Sequence, residues 1–199
     1  MKPLIVIIIG FLILSSCQNK VKTKENIVKT IALDTLSKTV AGTADLSEAP
    51  SKNSDAVERI RKQLRLLLKN DFQAMTKEDR FFFYGAFDLN NDGKDEYFVG
   101  FSNSYFCGTG GCSGYILNND GSVINKFTVT DFPIYVTTSS TEKFYDLVFE
   151  SAGKFHVLKM KNGKYPSNPS VQEVLKGDVS KESTKVLDIE GKKMEKYSF

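Results

Sequence analysis

The chain has 199 residues, with 27 Lys and Arg against 24 Asp and Glu, a formal charge of +3, and 41% hydrophobic residues including 15 Phe and 8 Tyr. That length and apolar share suit one domain with a sizeable core and a polar extension. The charge is too balanced, and the basic residues too interspersed with acids, for a nucleic-acid partner.

The chain opens with Met1-Lys2, then an apolar run from Leu4 to Leu14, then Ser15-Ser16-Cys17. A short positive start, an apolar stretch and small residues before a cleavage point make a secretion signal. A bilayer-crossing helix needs about 20 apolar residues, so this run is too short for a permanent span. Leu14-Ser15-Ser16-Cys17 resembles the lipobox of bacterial lipoproteins. The resemblance implies that residues 1–16 are removed, that Cys17 carries a diacylglycerol thioether, and that its new amine is often acylated. Two or more acyl chains, at roughly 0.8 kcal/mol per buried CH₂, hold a membrane stably where one is marginal. An ordinary secretory signal with an incidental cysteine is the competing reading. Cysteine arithmetic favours the lipid: lipidation of Cys17 leaves Cys107 and Cys112 as an even pair for an oxidising compartment. The expected location is the bacterial cell envelope, facing the periplasm or the cell exterior, with the membrane reached through the lipid anchor.

Residues 17–52 are rich in Lys, Thr, Ser, Asn and Ala, show no sustained period, and contain Pro50 near their end. They read as a flexible tether, and a coil of about 35 residues spans roughly 30 to 35 Å. Residues 53–199 then read as a single α+β domain. Asp55 with Glu58 fits a capping box, and Val57, Ile60, Leu64, Leu67 and Leu68 repeat at helical spacing. Glu58, Arg59, Arg61, Lys62 and Arg65 take the outer face, which is expected to be solvated.

After Asp79 the texture becomes β. Candidate strands are Phe81–Phe87, Glu96–Ser102, Gly114–Leu117, Val123–Val129, Tyr145–Glu150 and Lys154–Lys161, with Lys185–Ile189 and Lys192–Tyr197 as a C-terminal hairpin. Turn signals separate them: Asn91-Asp92-Gly93, Asn118-Asn119-Asp120-Gly121, Ala152-Gly153, Asn162-Gly163 and Glu190-Gly191. Such dipeptides between aromatic and β-branched runs read as hairpins. The expected fold is an antiparallel β-sheet covered by one main amphipathic helix, after an unstructured N-terminal tether.

The stretch Asp88-Leu89-Asn90-Asn91-Asp92-Gly93-Lys94-Asp95-Glu96 has oxygen side chains at positions 1, 3, 5 and 9 and glycine at position 6. Calcium takes six to eight oxygens, alternate loop residues can point inward, and the glycine permits a sharp turn. Asp88, Asn90, Asp92 and Glu96 would ligate through side chains and Lys94 through its carbonyl. An EF-hand would need an acid at position 12, which is Val99, and helical flanks where this chain has strand-like ones. The run Phe87 to Glu96 instead resembles the strand–loop–strand calcium sites of FG-GAP and integrin-propeller repeats, with Glu96 where aspartate is usual. A propeller needs several blades and this chain has one copy, so the resemblance implies a calcium loop without the propeller fold. A plain Asn-Asp-Gly hairpin turn is the competing reading.

Cys107-Gly108-Thr109-Gly110-Gly111-Cys112 is expected to close as a disulfide, because two cysteines without a nearby His or third Cys make a poor zinc site. The redox signature Cys-x-x-Cys is absent. No Lys-Ser/Thr follows the glycines, so they do not form a phosphate loop. His156, the only histidine, lies in an apolar strand context and reads as structural rather than as a hydrolase base. Asp131, Glu142, Asp146 and Glu150 could supply paired carboxylates for glycoside hydrolysis, with nothing to single them out. The functional expectation is a membrane-tethered, calcium-stabilised envelope binding module. Its partner is expected to be an envelope protein, such as a cell-wall hydrolase, or another cell-wall component. An envelope hydrolase acting on glycan or peptide is the alternative.

Overall fold

Helix α1 spans Lys52–Leu67 and packs Ala56, Val57, Ile60 and Leu64 inward, with Leu68 continuing the apolar stripe just past its end. The computed structural model describes residues 52–191 and 193–199. The expected signal segment 1–16, Cys17 and the expected tether up to residue 51 lie outside the described residues. The helix starts three residues before Asp55, so Asp55 and Glu58 do not form the expected capping box. Asp55 sits in the first turn, where a negative charge suits the helix dipole, and Glu58 pairs with Arg61 one turn on. Leu67 is 39% exposed and outside the core, because it falls off the stripe that Ile60, Leu64 and Leu68 define. The outer face is also less free than expected. Arg59 donates to the Asn119 carbonyl at 2.8 Å and Arg61 donates from Nε to the Ser198 carbonyl at 2.8 Å.

The rest is dominated by antiparallel strands: β1 (Phe81–Phe87), β2 (Glu96–Gly100), β3 (Cys107–Gly108), β4 (Gly111–Leu117), β5 (Val123–Thr141), β6 (Phe144–Ser151), β7 (Lys154–Leu158), β8 (Glu173–Val174), β9 (Thr184–Val186) and β10 (Tyr197–Ser198). Their order is β10-β1-β2-β4-β5-β6-β7-β8, with β3 on β4 and β9 on β5. All five residues of β2 are buried. Strand alternation explains where they go. Tyr97 and Val99 join α1, Phe82, Tyr115, Leu117 and Phe199 in one core. Phe98 and Ile116 join Phe127, Ile134, Leu147, Phe149 and Leu158 in another.

The sheet is thus covered by the helix on one face of its first half, while its second half supplies the cover for the other. The fold expectation holds at the level of an antiparallel sheet with one helix, and needs this second, purely β layer. Strand β5 makes the transition. It is 19 residues long, carries Val129 at φ 57°, contains the cis Phe132–Pro133 bond, and shifts register against both β4 and β6.

Strand β1 has the expected limits, whereas β5 runs twelve residues beyond the expected Val129. Its connection to β6 turns through Glu142 and Lys143, both at positive φ. The C-terminal segments do not pair with each other among the described residues. Thr184–Val186 pairs with Val136–Ile134 of β5, and Tyr197–Ser198 pairs with Phe82–Phe81 of β1. The edge of β1 and the bend of β5 thus take up these two short strands.

Candidate functional site

The loop from Asp88 to Asp95 joins β1 to β2, and Phe87 and Glu96 face each other as its closing pair. Its tight path requires left-handed backbone at Asn91 (φ 57°) and Gly93 (φ 83°). Nothing lies within 4 Å of where a Gly93 side chain would begin, so glycine is needed there for conformation and not for space.

The acids hold the loop from within. Asp88 accepts from the amides of Asp92 at 3.2 Å and Gly93 at 2.8 Å. Asn90 Oδ1 accepts from the Asp92 amide at 2.9 Å, and Asp92 Oδ1 from the Lys94 amide at 2.8 Å. Glu96 reaches back under the loop, where its Oε2 accepts from the Leu89 amide at 2.8 Å. Leu89 is itself fully buried in the second core, and its carbonyl accepts from the Tyr145 amide at 2.9 Å. Asn91 adds a bond from Nδ2 to the Tyr145 hydroxyl at 2.9 Å.

Asp88, Asn90, Asp92 and Glu96 are therefore brought into one hydrogen-bonded loop, with Asp92 and Lys94 exposed and Glu96 only 2% exposed. Burial pushes the Glu96 carboxyl up to about 7, with the charges of Asp92 and Asp88 adding to the effect. The donor set is oxygen throughout, which suits a hard cation. Among the described residues, no group of three or more Asp, Glu, His or Cys side chains is gathered as a metal site. Side-chain bonds to loop amides use part of the acceptor capacity, although each carboxylate oxygen can accept more than one contact.

Three neighbours of the loop were not legible in sequence. Asn118, Asn119 and Asp120, from the turn between β4 and β5, line a cavity of about 230 Å³ with Asp92, Lys94 and Glu96. Asn119 Nδ2 donates to the Asp95 carbonyl at 3.3 Å. The antiparallel pairing of Tyr97 with Leu117 places both turns at one end of the sheet. Their shared Asn-Asp-Gly composition is the only trace of this in the sequence.

Cys107 and Cys112 form a disulfide across directly paired residues of β3 and β4, with Cα atoms 3.9 Å apart. Thr109 and Gly110 make the tip. Gly111 has φ 115°, and a side chain there would begin 2.8 Å from the Thr130 amide nitrogen, so β4 can approach β5 only with glycine at this point. Tyr105, 37% exposed, packs edge-on against Phe106 beside the hairpin.

His156 is 4% exposed and its Nδ1 donates to the Gln172 carbonyl at 3.0 Å. That is a satisfied buried histidine. Of the four candidate hydrolase acids, only Asp131 and Glu150 are brought together. Asp131 and Glu150 face each other across β5 and β6, Glu142 lies in the turn that joins these strands, and Asp146 lines a separate cavity. Comparison with protein-family models, characterised proteins and solved structures gives no match for this chain.

Proposed function

We propose that this chain is a lipid-anchored binding module of the bacterial cell envelope, stabilised by calcium and recognising a protein partner such as a cell-wall hydrolase. The observation that carries the calcium reading is the buried Glu96 carboxylate beneath Asp88 and Asp92. Burying a carboxylate among others is costly unless a positive charge joins them. The side chains of Asp88, Asn90, Asp92 and Glu96 and the Lys94 carbonyl would hold the ion. Its chemistry there is charge neutralisation, which would lock β1 against β2 through the Leu89–Glu96 contact.

The Leu4–Leu14 run and the lipobox-like Leu14-Ser15-Ser16-Cys17 support the anchor. A tether from a membrane raises the local concentration of the module near envelope partners. The disulfide hairpin, with exposed Tyr105 beside it, offers a rigid aromatic contact of the kind that dominates protein interfaces. A pull-down from envelope extract with the lipidated chain tests this reading. A partner retained in calcium, and lost with chelator or with Asp92→Asn, is the expected result. Equal capture in both conditions removes the calcium role, and no specific capture removes the partner reading.

A further inference from the structure

The second layer carries a cavity on its outer face that neither the calcium loop nor the disulfide uses. Its floor is β6 and β7, where Val148 and Val157 point away from the second core. The segment 175–183 crosses over it and contributes Leu175 to the wall, leaving about 310 Å³. That volume lies at the lower end of the range for small-molecule sites.

Two residues that line this cavity each carry a buried side-chain oxygen without a hydrogen-bond partner among the described residues. Asp146 is 5% exposed and its Oδ1 accepts no hydrogen bond among the described residues. Ser183 Oγ is likewise buried and unpaired. Only three such side-chain atoms occur among the described residues, and two of them belong to residues that line this one cavity. The Asp146 backbone is held in place by the Thr137 hydroxyl, which donates to its carbonyl at 2.9 Å. The carboxylate is therefore fixed on a strand rather than carried on a mobile loop.

A buried carboxylate oxygen without a donor is among the costlier arrangements a protein can hold. A hydroxyl would supply one donor and no charge. A primary ammonium supplies three donors and the opposite charge, making a charge-assisted bond about twice as strong as a neutral one. Lys159, the one cation in the lining, is exposed and makes no ion pair with Asp146 among the described residues. Asp178 at the exposed rim adds a second negative charge. The aliphatic walls formed by Val148, Val157 and Leu175 limit the ligand to a short body.

We propose that this cavity binds the primary ammonium group of a small ligand, with Asp146 as its acceptor. The chemistry is shared by a peptide N-terminus and by an amino sugar, and the test separates the two. This inference stands apart from the calcium loop.

The experiment is an NMR titration of the full chain in detergent with L-alaninamide and with glucosamine, each beside its N-acetylated form, at millimolar concentrations. Saturable shifts of the Val148 and Val157 amides are expected with a free amine and not with its N-acetyl form. A response to alaninamide alone assigns a peptide end, and a response to glucosamine alone assigns an amino sugar. Asp146→Asn should weaken the response by about tenfold or more. Should that variant fold poorly, the comparison of free and acetylated amines on the unaltered chain still decides. No saturable shift with either amine, or equal shifts with the acetylated forms, overturns the proposal.

Discussion

The amide of Leu89 donates to Glu96 Oε2 at 2.8 Å, tying a fully buried leucine in the loop to a buried carboxylate at the start of β2. This contact couples the charge state of Glu96 to the seating of the whole loop on the second core. The Glu96 pKa is raised from an ordinary 4.5 to about 7 by burial, then by Asp92 and Asp88. A carboxyl whose folded pKa lies above its unfolded value contributes stability below the unfolded pKa, and loses it as pH rises through the folded one. Without calcium, stability should therefore fall between about pH 4.5 and 7, by on the order of 3 kcal/mol from this group. Urea unfolding in chelator at pH 5 and pH 8 measures the drop, and Glu96→Gln should flatten it. An equal drop in both proteins would place its origin elsewhere.

The disulfide closes a ring between directly opposed residues of β3 and β4. A short ring restricts the unfolded chain only modestly, so its stabilisation should lie near the low end of the general range of about 2 to 4 kcal/mol. Cys107→Ser with Cys112→Ser should lower stability by about that low figure while leaving the sheet intact by circular dichroism. Free thiols in protein taken from the envelope without reductant would contradict the bond.

Gly111→Ala should destabilise more than its size suggests. The new methyl group would meet the Thr130 backbone at 2.8 Å, and the backbone at φ 115° is poorly suited to a side chain. Backbone on both sides cannot give way as a flexible side chain could. A loss of about 1 to 3 kcal/mol in chemical denaturation is expected. For comparison, Leu64→Ala, in the fully buried helix seam, should cost about 2 to 5 kcal/mol.

Cys17→Ser should abolish incorporation of a fatty-acid probe and shift the chain from the membrane fraction. Undiminished label in that variant would remove the anchor.

Strand β1 was legible because its aromatic run is bounded by charged residues on one side and an Asp-Asn turn on the other. The second half of β5 was not. Residues 130–144 carry Pro133 and the polar Thr137-Thr138-Ser139-Ser140 run in place of an alternating apolar pattern, and the turn at Glu142-Lys143 adopts left-handed backbone without the usual Asn or Gly. Tertiary pairing with β6 and β9 supplies what local propensity does not. The same logic divides the sites. Asp88, Asn90, Asp92 and Glu96 could be read together because nine residues contain them all. Asn118, Asn119 and Asp120 approach that loop only through the antiparallel order of β2 and β4. Asp146 sits between Tyr145 and Leu147 in a strand, and its cavity depends on the distant crossing segment 175–183.

The calcium claim is tested most directly by melting the protein in chelator and in excess calcium, with Asp92→Asn as control. A ligand that binds only the native state adds RT ln(1 + [L]/Kd), about 2.7 kcal/mol at a hundredfold excess over Kd. Extracellular calcium modules often have Kd values of roughly 10⁻⁴ to 10⁻³ M, so the titration must extend into the millimolar range. A rise in Tm with calcium, weak with magnesium and absent in Asp92→Asn, is the predicted result. Superimposed melting curves in chelator and in excess calcium would contradict it and leave the Asp88–Glu96 loop as a hairpin turn.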